Sequence, residues 1–151
     1  MPAHLHRLDR VWIENPVYFI TTCCAHRRPL LATGPVAAIL IEEWHTARAR
    51  HGWTVGRYVI LPDHVHFFCA SAVDAKPLAE FVGAWKQWTS KRLQRAGGRA
   101  GPVWQPEFFD HVLRSAASAE QKWHYVRDNP VRAGLVTAAD QWPWQGEIVP
   151  L

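Results

Sequence analysis

The chain has 151 residues, 48% of them hydrophobic and 20% charged, which excludes an intrinsically disordered protein and fits a single domain over residues 1–151. The formal net charge of +4 and the isoelectric point near 9.3 indicate an acidic partner, with nucleic acid ahead of an anionic membrane surface. Nine tryptophans are unusual for this length. We expect about three quarters of them in the core, with the others available to stack on unpaired bases.

The cysteines and the hydropathy pattern restrict the compartment. Cys23, Cys24 and Cys69 are odd in number and form no CxxC pair, which excludes a disulfide scaffold and a four-cysteine zinc site. The first residues lack the apolar region of a signal peptide, and no segment approaches the ~18 apolar residues of a membrane span. We therefore expect a soluble cytoplasmic protein that does not associate with a membrane.

The first half of the chain predicts a strand, a helix and two more strands. A polar, basic arm over residues 1–15 leads into a first strand over residues 17–24, which is rich in β-branched and aromatic side chains. Thr33-Gly34-Pro35 begins a helix that runs to Gly52. Strands over residues 53–61 and 64–70 follow, and the short turn between them makes them antiparallel neighbours.

The second half adds two helices. Pro77 opens a helix that ends in a glycine-rich loop over residues 94–102. Residues 103–114 read as strand or turn, and residues 115–129 as a third helix that Pro130 ends. A short helical piece to Val136 and a tryptophan-rich tail over residues 137–151 complete the chain. This order predicts an α+β fold, a ferredoxin-like antiparallel sheet with helices packed on one face and the other face open for a ligand.

Two groups of polar side chains mark a candidate site. His64 and His66 are two residues apart on a strand and so share a face. Gln121, Tyr125 and Asn129 recur every four residues on the third helix and so line one stripe. Two imidazoles and an amide oxygen suit Mn²⁺ or Mg²⁺ with open positions for phosphate oxygens. The metal would polarise a phosphodiester, and the tyrosine hydroxyl would attack it.

Several segments together resemble one family. Residues 62–67 (Pro-Asp-His-Val-His-Phe) resemble the histidine-hydrophobic-histidine motif of the single-tyrosine HUH transposases. Residues 125–136, which begin Tyr-Val-Arg-Asp-Asn-Pro, are similar to the tyrosine segment of the REP-associated tyrosine transposases. Residues 103–114, the first strand and the Trp142-Pro143-Trp144 tail are similar to the same group, so the resemblance covers nearly the whole chain.

The resemblance implies a metal-dependent endonuclease and strand transferase that acts on single-stranded DNA, often a hairpin from a repetitive extragenic palindrome. His64 and His66 would bind the metal, and Tyr125 would form a 5′-phosphotyrosine bond and free a 3′-OH. Asn129 would be the third ligand, although more distant insertion-sequence relatives have glutamine at that position, and Gln121 is the alternative. A monomer is favoured by the resemblance, and a dimer remains open.

Other residues are predicted to support the metal ligands or to contact DNA. Asp110, His111 and Gln121 are predicted to lie around the metal ligands, where the first two would orient an imidazole or simply form a turn. A DNA track is predicted from six cations, with Trp88 as a stacking residue beside them; the cations are Lys86, Lys91, Arg92, Arg95, Arg99 and Arg114. Two alternatives to the enzyme stay open: a domesticated, non-catalytic binder of structured single-stranded nucleic acid, and a zinc-dependent hydrolase.

Overall fold

The computed structural model describes residues 16–97 and 100–151, and the predicted basic arm lies outside them. Among the described residues, five strands form one sheet: β1 (Val17–Cys23), β2 (Trp53–Ile60), β3 (His64–Ser71), β4 (Phe109–Leu113) and β5 (Gln145–Glu147). Five α-helices accompany it: α1 (Gly34–His45), α2 (Ala47–His51), α3 (Leu78–Gly97), α4 (Ala116–Arg127) and α5 (Asn129–Arg132). No helix in this part of the chain is long and apolar enough to cross a membrane.

The strands lie in the order β4-β1-β3-β2-β5, and every neighbouring pair is antiparallel. The predicted α+β fold with an antiparallel sheet is therefore confirmed. The histidine strand β3 is central, between β1 and β2, so its side chains are held from both sides. The tail contributes β5, which pairs with the edge of β2 and which the sequence did not predict.

Two of the predicted helices are broken. The first predicted helix divides at Thr46 into α1 and α2, and Gly52 ends α2 with a φ of 77°, in the left-handed region that glycine enters without strain. The third predicted helix ends at Arg127, and Pro130 lies in the first turn of α5, where its missing N–H is not needed.

One face of the sheet carries the larger core. α1 and α3 pack there, and the indole of Trp44 stacks on that of Trp85 with ring centroids 5.3 Å apart. Phe67 of β3 meets both rings. Trp53 is buried on the same face, where it stacks on Phe81. The two long helices thus lie together on one face, as predicted.

The opposite face carries a second, smaller core, which corrects the prediction that this face is left open. Val126 of α4 and Trp142 of the tail are buried against strand residues that include Phe19 and Phe68. The Trp142 indole N–H also donates to the Ile60 carbonyl at 2.9 Å. α4 therefore lies on the same face as the motif histidines, because His64, His66 and Phe68 alternate with the residues of the larger core along β3.

We expect Gly52→Ala to destabilise the protein by about 1–3 kcal/mol, because alanine is strained at this φ. A Cβ atom there would also lie 2.8 Å from the Ala75 Cα. The matched control is Gly83→Ala in the exposed interior of α3, where a Cβ meets nothing within 4 Å. That change should stabilise the helix by about 0.5–1 kcal/mol. Urea denaturation of both variants measures these changes in stability, and equal denaturation midpoints for the two variants would contradict the predictions.

Candidate active site

The two motif histidines project from β3 on the face that α4 covers. Their ring centroids are 4.8 Å apart and the rings stand nearly perpendicular, at 84°. Phe19 of β1 stacks on the His66 ring at 5.2 Å. The Lys122 ammonium of α4 lies 5.1 Å from the Phe19 ring centroid, so α4 approaches the histidines closely. The strand geometry predicted from the sequence is present.

Each imidazole is held at its Nδ1 atom. His66 Nδ1 is 2.8 Å from the Thr21 hydroxyl, which β1 places directly across the sheet from it. His64 Nδ1 is 2.8 Å from a carboxylate oxygen of the neighbouring Asp63. These contacts fix both rings and leave the two Nε2 atoms for a ligand, the arrangement typical of histidines that bind metals.

The other oxygen of Asp63 is also engaged. Arg27 Nε donates to Asp63 Oδ2 at 2.9 Å. Burial raises the pKa of the Asp63 carboxyl, but the hydrogen bonds from His64 and Arg27 outweigh it and hold that pKa below its usual value. Asp63 is therefore ionised at neutral pH and accepts a hydrogen bond from the N–H at His64 Nδ1, so the lone pair of the neutral His64 ring lies on Nε2.

The structure does not use Asp110 or His111 to orient an imidazole, and here the sequence interpretation is corrected. Asp110 pairs with Ile20 of β1, and paired residues share a face, so it lies on the side of the sheet opposite the histidines. His111 pairs with Phe19 on the histidine face but is exposed, one strand farther out. The roles predicted for them belong to Asp63 and Thr21.

His66 is the more enclosed of the two imidazoles. The pKa of His66 is lowered to about 3, chiefly by burial and to a smaller extent by the nearby basic groups His64, Lys122 and Arg132. The ring is therefore neutral at physiological pH, which is the form that can bind a cation.

Tyr125 lies on α4, and Asn129 is the first residue of α5. Ser115 caps the start of α4 by accepting from the Ser118 N–H at 3.1 Å. Tyr125, near the other end, keeps 64% of its side-chain surface exposed. The Arg132 guanidinium lies 4.0 Å from the Tyr125 ring centroid and also donates to Asn129 Oδ1. One arginine thus connects the phenol to the amide.

A single cavity of about 480 Å³ brings His64 and Asn129 together. It is lined by Arg27, Pro29, Leu61, Pro62, Asp63, His64, Asn129, Arg132, Ala133 and Leu135. Gln121 lies on α4 one turn before Tyr125, is exposed, and does not line this cavity. Of the two amides considered as a third ligand, only Asn129 lines the cavity with His64.

A family model of IS200-like transposases matches residues 13–129. The chain belongs to the IS200-like transposase family. This family consists of enzymes that cleave and join DNA. The matched segment contains both motif histidines, Tyr125 and Asn129.

Individual relatives agree with this family. A REP-associated tyrosine transposase of Escherichia coli (strain K12) is 26% identical over 135 residues, which are 89% of this chain and 78% of the relative. The structure of a REP-associated tyrosine transposase bound to a REP hairpin is similar with a TM-score of 0.72 and 22% identity, over 86% of this chain and 75% of that one. A proposed transposase from Deinococcus radiodurans has a TM-score of 0.57 and 18% identity, over 76% of this chain and 90% of that one. The predicted resemblance is confirmed, and so is the fold.

The residues that could hold a divalent cation are His64, His66 and Asn129, of which His64 and Asn129 line one cavity. They would offer two imidazole Nε2 atoms and one amide oxygen. Among the described residues, no cluster of three or more His, Cys, Asp or Glu side chains could hold a metal. A mixed nitrogen and oxygen set suits Mn²⁺ or Mg²⁺ better than a closed structural zinc site.

The cysteines do not supply a competing nucleophile. Cys23, Cys24 and Cys69 are all buried as free thiols. Burial raises the pKa of Cys24 to about 12 and raises that of Cys69 well above its usual value, so both remain protonated. Tyr125 is exposed and its ring contacts the cavity residue Arg132, so it stays the candidate nucleophile.

The predicted DNA track divides into two groups. Lys86 is buried and donates to the Pro106 and Glu107 carbonyls, while Arg92 pairs with Glu42 and Glu43 of α1, so both charges serve the fold. Lys91, Arg95 and Arg114 are exposed, and Arg99 lies outside the described residues. The helix that carries most of them, α3, packs on the face opposite the histidines. A DNA contact by the exposed cations stays a prediction, as does base stacking by Trp88, which Arg50 covers at 4.4 Å.

Sequence reasoning missed four residues of the site, namely Thr21, Arg27, Asp63 and Arg132. Asp63 and Arg132 lie inside the two segments that carried the family resemblance. Thr21 and Arg27 reach the site through strand pairing and a turn, which no local pattern of residues indicates.

Proposed function

We propose that this IS200-like transposase cleaves and rejoins single-stranded DNA beside a hairpin, with Tyr125 as the nucleophile and a divalent cation held by His64, His66 and Asn129. The carrying observation is the contact of Arg132 with both the Tyr125 ring and Asn129, beside the cavity that contains His64. The similarity to a relative whose structure contains a REP hairpin supports a palindromic hairpin as the substrate class.

The proposed reaction conserves the number of phosphodiester bonds. The Tyr125 hydroxyl oxygen attacks phosphorus and loses its proton, while the bond from phosphorus to the 3′ oxygen breaks and that oxygen takes up a proton. The strand then carries a 5′-phosphotyrosine bond on one side and a 3′-OH on the other. Attack by a 3′-OH on the phosphotyrosine reverses the step and releases Tyr125, so no external energy source is required.

When bound, the cation would withdraw charge from the phosphate oxygens and make phosphorus more electrophilic. The residues of the chain would orient the groups that bind the cation and the nucleophile. Thr21 and Asp63 keep the imidazoles oriented, and Arg132 holds the amide of Asn129 next to the phenol. A phenol is protonated at neutral pH, with a pKa of about 10, so the attack needs this electrostatic assistance.

The site also supports action as a monomer. Its histidines, amide and tyrosine all come from one chain, and Asn129 of that chain already lines the cavity of His64. No residue of a second copy is required to complete the proposed site.

The test is incubation of the protein with an end-labelled palindromic hairpin that carries single-stranded tails. With Mn²⁺ or Mg²⁺ we expect a cut strand with a 3′-OH and a covalent protein-DNA adduct; with EDTA we expect neither, and added Mn²⁺ should restore both. Binding without any cut product would instead support a domesticated, non-catalytic binder. Stoichiometric bound zinc without DNA cleavage would support a zinc-dependent hydrolase.

A further inference from the structure

Two arginines that the sequence did not single out line the same cavity as His64 and Asn129. They are Arg27, from the turn after β1, and Arg132, from the end of α5. Arginine presents five N–H donors in a planar fork, and no other residue type is as well matched to phosphate oxygens. Two such side chains on one cavity offer an anion site that does not depend on the metal.

Arg27 is held in place by an unusual backbone. Both His26 and Arg27 have positive φ values, 58° and 52°, in the left-handed region that non-glycine residues rarely adopt. Strain of this kind persists where the surroundings fix it and is concentrated at functional sites. Here the turn places Arg27 so that Nε donates to Asp63 and Nη1 contacts Cys23 Sγ at 3.3 Å. These two contacts use part of the guanidinium, whose side chain stays 55% exposed.

Arg132 is held by the nucleophile and the third ligand. Its guanidinium lies over the Tyr125 ring, and one Nη atom donates to Asn129 Oδ1. These contacts occupy one face and one nitrogen of the fork, so donors remain for a second acceptor.

We infer that Arg27 and Arg132 form a phosphate clamp that holds the DNA strand on either side of the cleaved bond. This rests on the proposed function, which supplies the single strand as the ligand. Arg27 contacts the backbone on the His64 side of the cavity, and Arg132 contacts it on the Tyr125 side. The clamp aligns the strand before the chemistry and needs no divalent cation to bind.

If the two arginines had purely structural roles, neither would contact the DNA. Arg27 would then only support Asp63, and Arg132 would only hold Asn129 and the phenol ring. The lysine variants separate the two cases, because lysine binds phosphate as a point charge but cannot reproduce the planar fork. A clamp therefore tolerates lysine in DNA binding, whereas glutamine removes the charge and with it the phosphate contact.

The experiment measures binding of the tailed hairpin in EDTA over a range of salt concentrations, so that cleavage does not interfere. The slope of log K against log salt is negative, and each lost phosphate contact reduces its magnitude by about 0.7 for a single strand. We expect that decrease in Arg27→Gln and in Arg132→Gln, and wild-type slopes in Arg27→Lys and Arg132→Lys. Arg48→Gln is the matched control, because Arg48 is exposed on α2 in the opposite layer. Circular dichroism verifies that each variant is folded.

Wild-type slopes in either glutamine variant would overturn the clamp, since it requires both arginines. If the wild type nevertheless cut the hairpin, the proposed function would stand. Conversely, lowered slopes in a protein that cuts no hairpin under any divalent cation would support the clamp and overturn the proposed function.

Discussion

Tyr125→Phe is expected to abolish both cleavage of the hairpin and formation of the covalent adduct, a loss on the order of 10⁴ or more in rate, as for other enzymes that lose their nucleophile. The substitution removes one hydroxyl and keeps the ring that Arg132 contacts at 4.0 Å from its centroid. Because Tyr125 is 64% exposed, the free energy of unfolding should change by less than about 0.5 kcal/mol. Hairpin binding should therefore stay close to that of the wild type.

The chain offers a matched control for this change. It has three tyrosines, and Tyr18 packs edge-on against Trp53 on the other face of the sheet, with ring centroids 5.6 Å apart. Tyr18→Phe should cleave and form the adduct at the wild-type rate. The two variants are compared by gel assay of labelled DNA, with mass spectrometry of the adduct to identify the modified tyrosine. Cleavage that persists in Tyr125→Phe, or an adduct on another residue, would show that Tyr125 is not the nucleophile.

Local patterns in the sequence were sufficient for most of the fold. Alternating and three-to-four residue spacings predicted β1, β2 and β3 and the three long helical segments, because these periods reflect a local geometry that each segment adopts by itself. β5 could not be predicted in this way. Its three residues form a strand because they pair with β2, and Gly146 allows the close approach, since a Cβ there would lie 2.7 Å from the Tyr58 hydroxyl.

The open face was mispredicted for a related reason. The third predicted helix has few apolar positions. Its stripe of Gln121, Tyr125 and Asn129 indicated a polar site but did not indicate which face of the sheet the helix covers. Val126 is buried on the histidine face, together with Trp142 of the tail. A helix with a weak apolar stripe is placed by tertiary packing, which a single sequence does not reveal.

For the site, the sequence predicted the groups that would react but not the groups that hold them. His64, His66 and Tyr125 stand in segments with recognisable spacing. The partner of His66 depends on the register between β1 and β3, which places Thr21 opposite it. A shift of one residue would have placed Thr22 there instead, and strand register is decided by the packing of both faces.

Thr21→Val is the second change with a large expected effect. Valine has nearly the same shape as threonine but lacks the hydroxyl, so the Nδ1 atom of His66 loses its partner at 2.8 Å. Removing such a support typically weakens metal binding 10–100-fold. We expect the Mn²⁺ affinity, measured by calorimetry in the absence of DNA, to fall by about this factor. Thr21→Ser, which keeps the hydroxyl, should retain most of the affinity.

The neighbouring threonine supplies the control for this second change. Thr22 is fully buried on the other face of β1, and its hydroxyl has no hydrogen-bond partner within residues 16–97 and 100–151. Thr22→Val should therefore leave Mn²⁺ affinity unchanged and raise the free energy of unfolding by up to about 1 kcal/mol, because an unsatisfied buried hydroxyl is removed. Equal Mn²⁺ affinities in the two valine variants would show that Thr21 does not support the metal site. A loss confined to Thr21→Val would tie metal binding to the face of β1 that the register places opposite His66.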